Sequence, residues 1–142
     1  MKTVKQLLEA KRHSLISIAP STTVLDALRV MAEKEIGAVI VIDAGHLVGI
    51  FSERDYARKV VLQGKSSKDT PVREIMTGKV VCVSPDQTIE DCMGLMTEKR
   101  VRHLPVLEHK NVIGVVSIGE VVKEMLSEKE FVIQQLESYI HN

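Results

Sequence analysis

The chain has 142 residues, 44% of them hydrophobic, enough for one buried core or two very small ones. Nineteen basic side chains balance nineteen acidic ones and aromatics make up 3%, so neither charge nor base stacking marks a nucleic-acid or anionic-lipid binder. No apolar run approaches the ~20 residues of a membrane span, and the N-terminus MKTVKQLLEAKRH lacks a signal-peptide core, so a cytoplasmic protein is expected.

Val4, Leu7 and Leu8 at helical spacing predict a short amphipathic helix through about Lys11. Leu15–Ile18 reads as a short strand that stops at Pro20. Thr23 then caps a helix whose Asp26 stands at the third position, a capping box, and Val24, Ala27, Leu28 and Met31 form its buried face. Ala38–Asp43 and Leu47–Phe51 are apolar runs joined by Ala44–Gly45–His46, a hairpin signal. Ser52 caps a second helix to about Leu62, and Gly64–Asp69 is a hydrophilic linker. Thr70 and Pro71 start a brief helix through Met76, with Pro placed where its missing N–H costs nothing.

The order then repeats. Val80–Val83 is the strand, Thr88 and Asp91 the capping box, and Ile89, Cys92, Met93 and Met96 the buried face. His103–Leu107 and Val112–Val116 are the hairpin pair, and a last helix runs from near Ser117 toward the end of the chain. Val122, Met125, Val132, Leu136 and Tyr139 keep an approximate heptad along it, interrupted by Lys129. That tail either packs on Val4, Leu7 and Leu8 or serves dimerisation, and the two roles are compatible.

The repetition is direct: the segment from Ile16 falls on the segment from Val81, 65 positions later, without a gap. Pro20 meets Pro85, Thr23 meets Thr88, Asp26 meets Asp91, Gly49 meets Gly114 and Ser52 meets Ser117. The expected fold is α/β (α+β): two pseudo-twofold-related β-α-β-β-α units packed sheet to sheet, with an extra N-terminal helix and a long C-terminal one. The expected divisions are 1–64, a linker with a short helix at 65–79, and 80–142. Packing two such units creates paired clefts, where small molecules bind.

Both copies leave the hairpin through Gly-aliphatic-aliphatic-Ser into a helix, as GIFSERD (Gly49–Asp55) and GVVSIGE (Gly114–Glu120). Glycine lets the chain pass close to a ligand or neighbouring backbone. A helix N-terminus suits phosphate, Ser52 adds a hydroxyl, Arg54 a bidentate cation, and Asp55 an acceptor for vicinal hydroxyls. Ser-x-x-Asp and Ser-x-x-Glu are also capping boxes, and the four-residue motif alone favours that plainer role.

The duplication, the IGAVIVID and VRHLPVLE segments and the two turns together resemble a tandem pair of CBS domains, a Bateman module. The resemblance covers the chain from Val4, and VSIGEVV and the SYI ending look like small stand-alone bacterial CBS-pair proteins. It implies a non-catalytic regulatory module. Its ligand would be an adenine nucleotide such as AMP, ADP, ATP or NAD, or S-adenosylmethionine, bound between the repeats. It also implies a homodimer and a protein partner of unknown identity that receives the signal.

Carried over by position, the first site comprises Ser52, Arg54 and Asp55 with Ile36, Gly37 and Ala38. In the second, Ser117 matches, but Gly119–Glu120 replaces the Arg–Asp pair. Arg102 and His103, with Pro105 following, occupy positions from which some family members reach phosphate; a solvated cation and a satisfied strand histidine are the plainer readings. The strands Ile16–Ile18 and Val81–Val83, with Ile18 and Val83 as site residues, are expected to complete the opposite copy's cleft through backbone contacts.

Other constellations are weak. His13, His46, His103, His109 and His141 show no metal-ligand spacing, so no metal is expected. Cys82 and Cys92 lack CxxC spacing and read as buried thiols. Ser52, His103 and Asp55, or Asp55 with Glu120, make a catalytic set only on paper. The alternatives to a sensor are a small nucleotide-processing enzyme and a dimerisation module with vestigial clefts.

Overall fold

A computed structural model describes residues 2–11 and 15–141; His13 lies outside the described residues, as does the side chain of His141. The first helix, α1, spans Val4–Lys11. The first copy follows as β1 (Ser17–Ile18), α2 (Val24–Lys34), β2 (Ala38–Asp43) and β3 (His46–Ser52). It closes with α3 (Glu53–Asp55), which widens into π-helical turns over Tyr56–Val61. A 3-10 turn at Val72–Glu74 leads to the second copy: α4 (Ile89–Lys99), β4 (His103–Glu108), β5 (Asn111–Ser117) and α5 (Ile118–His141).

The hairpins share one pairing register. Val41 faces Gly49 and Val106 faces Gly114, and in each copy the register slips immediately after that pair. A slip at the same place twice is an inherited bulge, which re-aims the strand end and the motif after it. Ala44 and Gly45 turn the first hairpin with positive φ, and His109 and Lys110 turn the second. The two hairpins meet where β3 packs against β5.

The first strand differs between copies. β1 pairs with β2 in parallel, Ser17 opposite Ile40 and Ile18 opposite Val41. In the second copy the expected strand Val80–Val83 reduces to one bridge, Val83 to Val106. Pro105 stands where the first copy has Ile40, and a proline has no N–H to extend the ladder.

Two cores result. One gathers Val24, Ala27, Met31, Val39, Val41, Phe51 and Val60 with Val72 and Ile75. The other gathers Ile89, Cys92, Met96, Leu104, Val106, Val116 and Val121 with Val4 and Leu7. The segment preceding each copy therefore plays a matching role: α1 closes the second core, and the turn at Val72 closes the first. Backbone bonds hold α1 there, from Val4 N to Gln87 O (2.8 Å) and from Lys5 N to Pro85 O (2.9 Å).

Several local expectations need correction. Thr23 accepts from Asp26 N at 3.2 Å, but the Asp26 carboxylate turns to Arg29, so only half the box forms. Thr88 and Asp91 form the whole box. Pro71 lies one place earlier than expected, with extended φ/ψ just before the 3-10 turn. Cys92 is fully buried and its thiol is pushed up to about 11, by burial first and Asp91 second. Cys82 is only half-buried, its thiol facing Val80 O.

Candidate functional site

The glycines of the two turns are crowded by the segments that precede each copy. A Cβ on Gly49 would lie 2.5 Å from Met76 Sδ and 3.0 Å from Thr77 O; one on Gly114 would lie 2.7 Å from Leu8 Cδ2. The close neighbour that these glycines admit is thus the chain itself. Around Gly49 that approach is also a backbone pairing, Ile50 with Thr77.

From Gly49 the strand runs three residues to Ser52, which starts α3. Ser52 N and Oγ both donate to Asp55 Oδ2 (3.0 and 3.1 Å), and Asp55 N returns a bond to Ser52 Oγ (3.2 Å). Asp55 Oδ1 accepts from Thr77 Oγ1 (3.2 Å) and faces Lys59 Nζ at 3.1 Å. The capping box read from the four-residue motif is therefore present, and Thr77 is a partner that sequence spacing did not reveal. Asp55 is nearly closed off at 8% exposure, while Lys59 is half exposed.

Arg54 points the other way. Its Nη1 donates to the backbone oxygen of Arg100 at 3.1 Å, crossing from the first copy to the residue that ends α4 in left-handed conformation. A cation at a helix C-terminus satisfies an orphan carbonyl and complements the dipole. Nearby, Glu53 N donates to Gly37 O (3.1 Å), tying α3 to the approach of β2. The imidazole of His103 and Glu53 Oε1 both lie 3.6 Å from where a Gly37 Cβ would be. Gly37 therefore keeps open a gap across which the two copies face each other.

Beside that gap, Leu28, Met31, Ala32, Glu35, Ile36, Gly37 and Glu53 line a hollow of about 390 Å3. Ile36 and Gly37 are half-buried, and Ala38 is buried as β2 begins. Ile18 and Val83 sit within their own copies: Ile18 pairs with Val41, and Val83 bonds to Pro105 O and Leu107 N. Pro105 is buried.

The second turn mirrors the first with different chemistry. Ser117 N and Oγ donate to Glu120 Oε1 (3.0 and 2.8 Å), and Glu120 N donates to Ser117 Oγ (3.3 Å). Where Asp55 meets a neutral hydroxyl from the preceding segment, Glu120 meets a cation, with Lys11 Nζ 2.6 Å from its Oε2. Burial raises the Glu120 carboxyl, but hydrogen bonds from Lys11 and Ser117 outweigh it and leave the group below its ordinary value. His103 is lowered by burial, partly opposed by Glu120 and Glu53. Arg102 is exposed. Among the described residues, no cluster of three His, Cys, Asp or Glu side chains is placed to hold a metal, and no helix is long and apolar enough to cross a membrane.

The CBS-domain family model matches residues 4–62 and 72–127. The mitochondrial CBS domain-containing protein CBSX3 of Arabidopsis thaliana is 44% identical over 123 residues, which are 83% of this chain and 60% of that protein. YhcV of Bacillus subtilis is 29% identical over 127 residues, 89% of this chain and 88% of its own length. Among solved structures, a CBS-domain protein from Burkholderia ambifaria MC40-6 is 50% identical, with a TM-score of 0.86, covering 89% of this chain and 95% of the other. The CBS domain pair of MJ0100, solved with 5′-methylthioadenosine and S-adenosyl-L-methionine, shares the fold at 22% identity and a TM-score of 0.80, covering 90% of this chain and 98% of its own. The matched residues, the two hairpins of equal register and the paired Gly-x-x-Ser turns agree: this chain belongs to the CBS-domain family and is a tandem CBS pair.

Proposed function

We propose that this CBS pair is a non-catalytic regulatory module that binds an adenine nucleotide, AMP, ADP, ATP or NAD, between its two copies. The observation that carries this reading is the convergence at Gly37. The first copy's motif, the second copy's His103 and a hollow of about 390 Å3 all border one glycine. That volume lies within the roughly 300–1,000 Å3 of small-molecule pockets. Leu28, Met31 and Ile36 offer apolar surface to a purine, and Glu35 or Glu53 an acceptor for its exocyclic amine.

Ser52 and the N-terminus of α3 meet phosphate, and Arg54 supplies its cation by leaving Arg100 O. Lys59, half exposed, swings away from Asp55 Oδ1 and leaves that oxygen to the ribose hydroxyls. Because Arg54 bridges the copies, ligand binding changes the contact that joins them, and differential affinity for the two arrangements drives the signal to a partner. The MJ0100 complex supports adenosine-type ligands for the fold.

The module acts as a homodimer in the cytoplasm. In α5 every residue from Lys129 to Ile140 is exposed, including Phe131, Val132, Ile133, Leu136, Tyr139 and Ile140. Such a helical tail is marginal alone and gains stability by pairing its heptad stripe with that of a second copy. A crystal structure with AMP tests the nucleotide reading: phosphate at Ser52 and Arg54 is expected, and a cleft at Gly37 left empty at saturating AMP would refute it.

A further inference from the structure

The second turn has lost its own cation, since Gly119 stands where the first copy has Arg54. The fold returns one from elsewhere. Lys11, the last residue of α1, places Nζ 2.6 Å from Glu120 Oε2 and 2.5 Å from Val115 O. We propose that Lys11 is a phosphate-binding residue of the second cleft, taking the phosphate of a nucleotide whose ribose meets Ser117 and Glu120. This rests on the nucleotide reading above and says which groups the second cleft uses.

Lys11 is held in place by the core. Val4 and Leu7 are buried with the second copy, Leu8 covers Gly114, and Lys2 Nζ pairs with Glu124 at 2.9 Å. The Lys11 side chain is 19% exposed, so it is fixed yet reachable. The matching segment of the first copy seats Val72, Ile75 and Met76 as α1 seats Val4, Leu7 and Leu8, but ends on the hydroxyl of Thr77. The copies have thus exchanged roles: the first carries its cation in the turn, and the second receives its cation from outside the repeat.

The chemistry fits an anion. An ammonium has three donors, and Glu120 and Val115 O take two, leaving one N–H for a phosphate oxygen. Arg102, exposed, and His103 lie in the same charged neighbourhood, because Glu120, Glu53, Arg102 and Lys11 all act on the imidazole. A phosphate there meets positive charge from two segments, held in place at Lys11, while the Glu120 carboxylate keeps its hold on Ser117 and accepts from the ribose.

The test compares AMP with adenosine by calorimetry in an Arg54→Ala background, which removes the cation from the first cleft's phosphate contacts. Lys11→Met is expected to cut the preference for AMP over adenosine at least tenfold with adenosine affinity unchanged, and Lys11→Arg to retain it. The unfolding midpoint of each variant confirms that it is folded. An unchanged AMP preference in folded Lys11→Met, or tighter AMP binding, would overturn the role of Lys11 and leave the nucleotide reading intact. Failure of the folded wild type to bind either ligand would overturn both.

Discussion

The carbonyl oxygen of Arg100 accepts a hydrogen bond from Arg54 at 3.1 Å, and this contact joins the motif of one copy to the end of a helix in the other. Gly119, the counterpart of Arg54, has no side chain with which to return the contact to Glu35, the counterpart of Arg100. The junction between the copies is therefore asymmetric. A phosphate that draws Arg54 away from Arg100 loosens one tie and leaves the rest of the interface in place.

Replacing Arg54 separates its two roles. Arg54→Ala is expected to weaken AMP binding by about 1–3 kcal/mol, roughly five- to 150-fold, the range of a charge-assisted hydrogen bond. Its contact with Arg100 is exposed, so stability should fall by less than about 1 kcal/mol. Calorimetry and urea unfolding measure the two effects. Unchanged affinity in the folded variant would make Arg54 a helix cap alone.

Gly49→Ala is expected to destabilise by about 1–3 kcal/mol, because its methyl group meets Met76 and the backbone of Thr77. Met76→Ala in the same chain should recover part of the loss, as the side chain yields but the Thr77 carbonyl does not. Urea midpoints of the single and double variants check this. Strict additivity would show that the crowding is not with Met76.

The fold was legible in the sequence wherever two copies made the same choice. The hairpins, the buried faces at Ala27 and Cys92, and the turn at Ser52 follow from periodicity and from the 65-residue offset. What stayed hidden came from residues outside the repeat. Thr77 on Asp55 and Lys11 on Glu120 are distant in sequence from the carboxylates they touch, and no local pattern links them. The loss of a strand before Pro85 depended on one proline in the neighbouring chain segment, Pro105, which only pairing reveals. The π-helical widening after Asp55 has no sequence signal that we recognise.

Acid should destabilise the protein in two stages. His103 titrates below its ordinary value of about 6.5, so the unfolded chain binds the proton more readily and stability falls as pH drops below that value. Glu120 is also lowered, so the stability it contributes is present above the ordinary carboxylate range and is lost as pH falls through its folded value. The charges facing His103 are Glu120, Glu53, Arg102 and Lys11. His103→Asn is expected to flatten the first stage only, as read from urea midpoints at successive pH values. An unaltered profile would place the titration elsewhere.

Removing the tail tests association without disturbing the core. Residues 129–140 are all exposed, so a chain ending at Lys129 should keep its fold. Sedimentation should show a dimer for the full chain and a monomer for the shortened one. A shortened chain that remains dimeric would move the interface away from the α5 tail.

Binding of an adenine nucleotide between the copies is measured by calorimetric titration of the folded protein with AMP, ATP, NAD and S-adenosylmethionine. Saturable binding of at least one of these ligands is expected, weakened by Ser52→Ala and by Arg54→Ala. No binding of any of the four to the folded chain would contradict it.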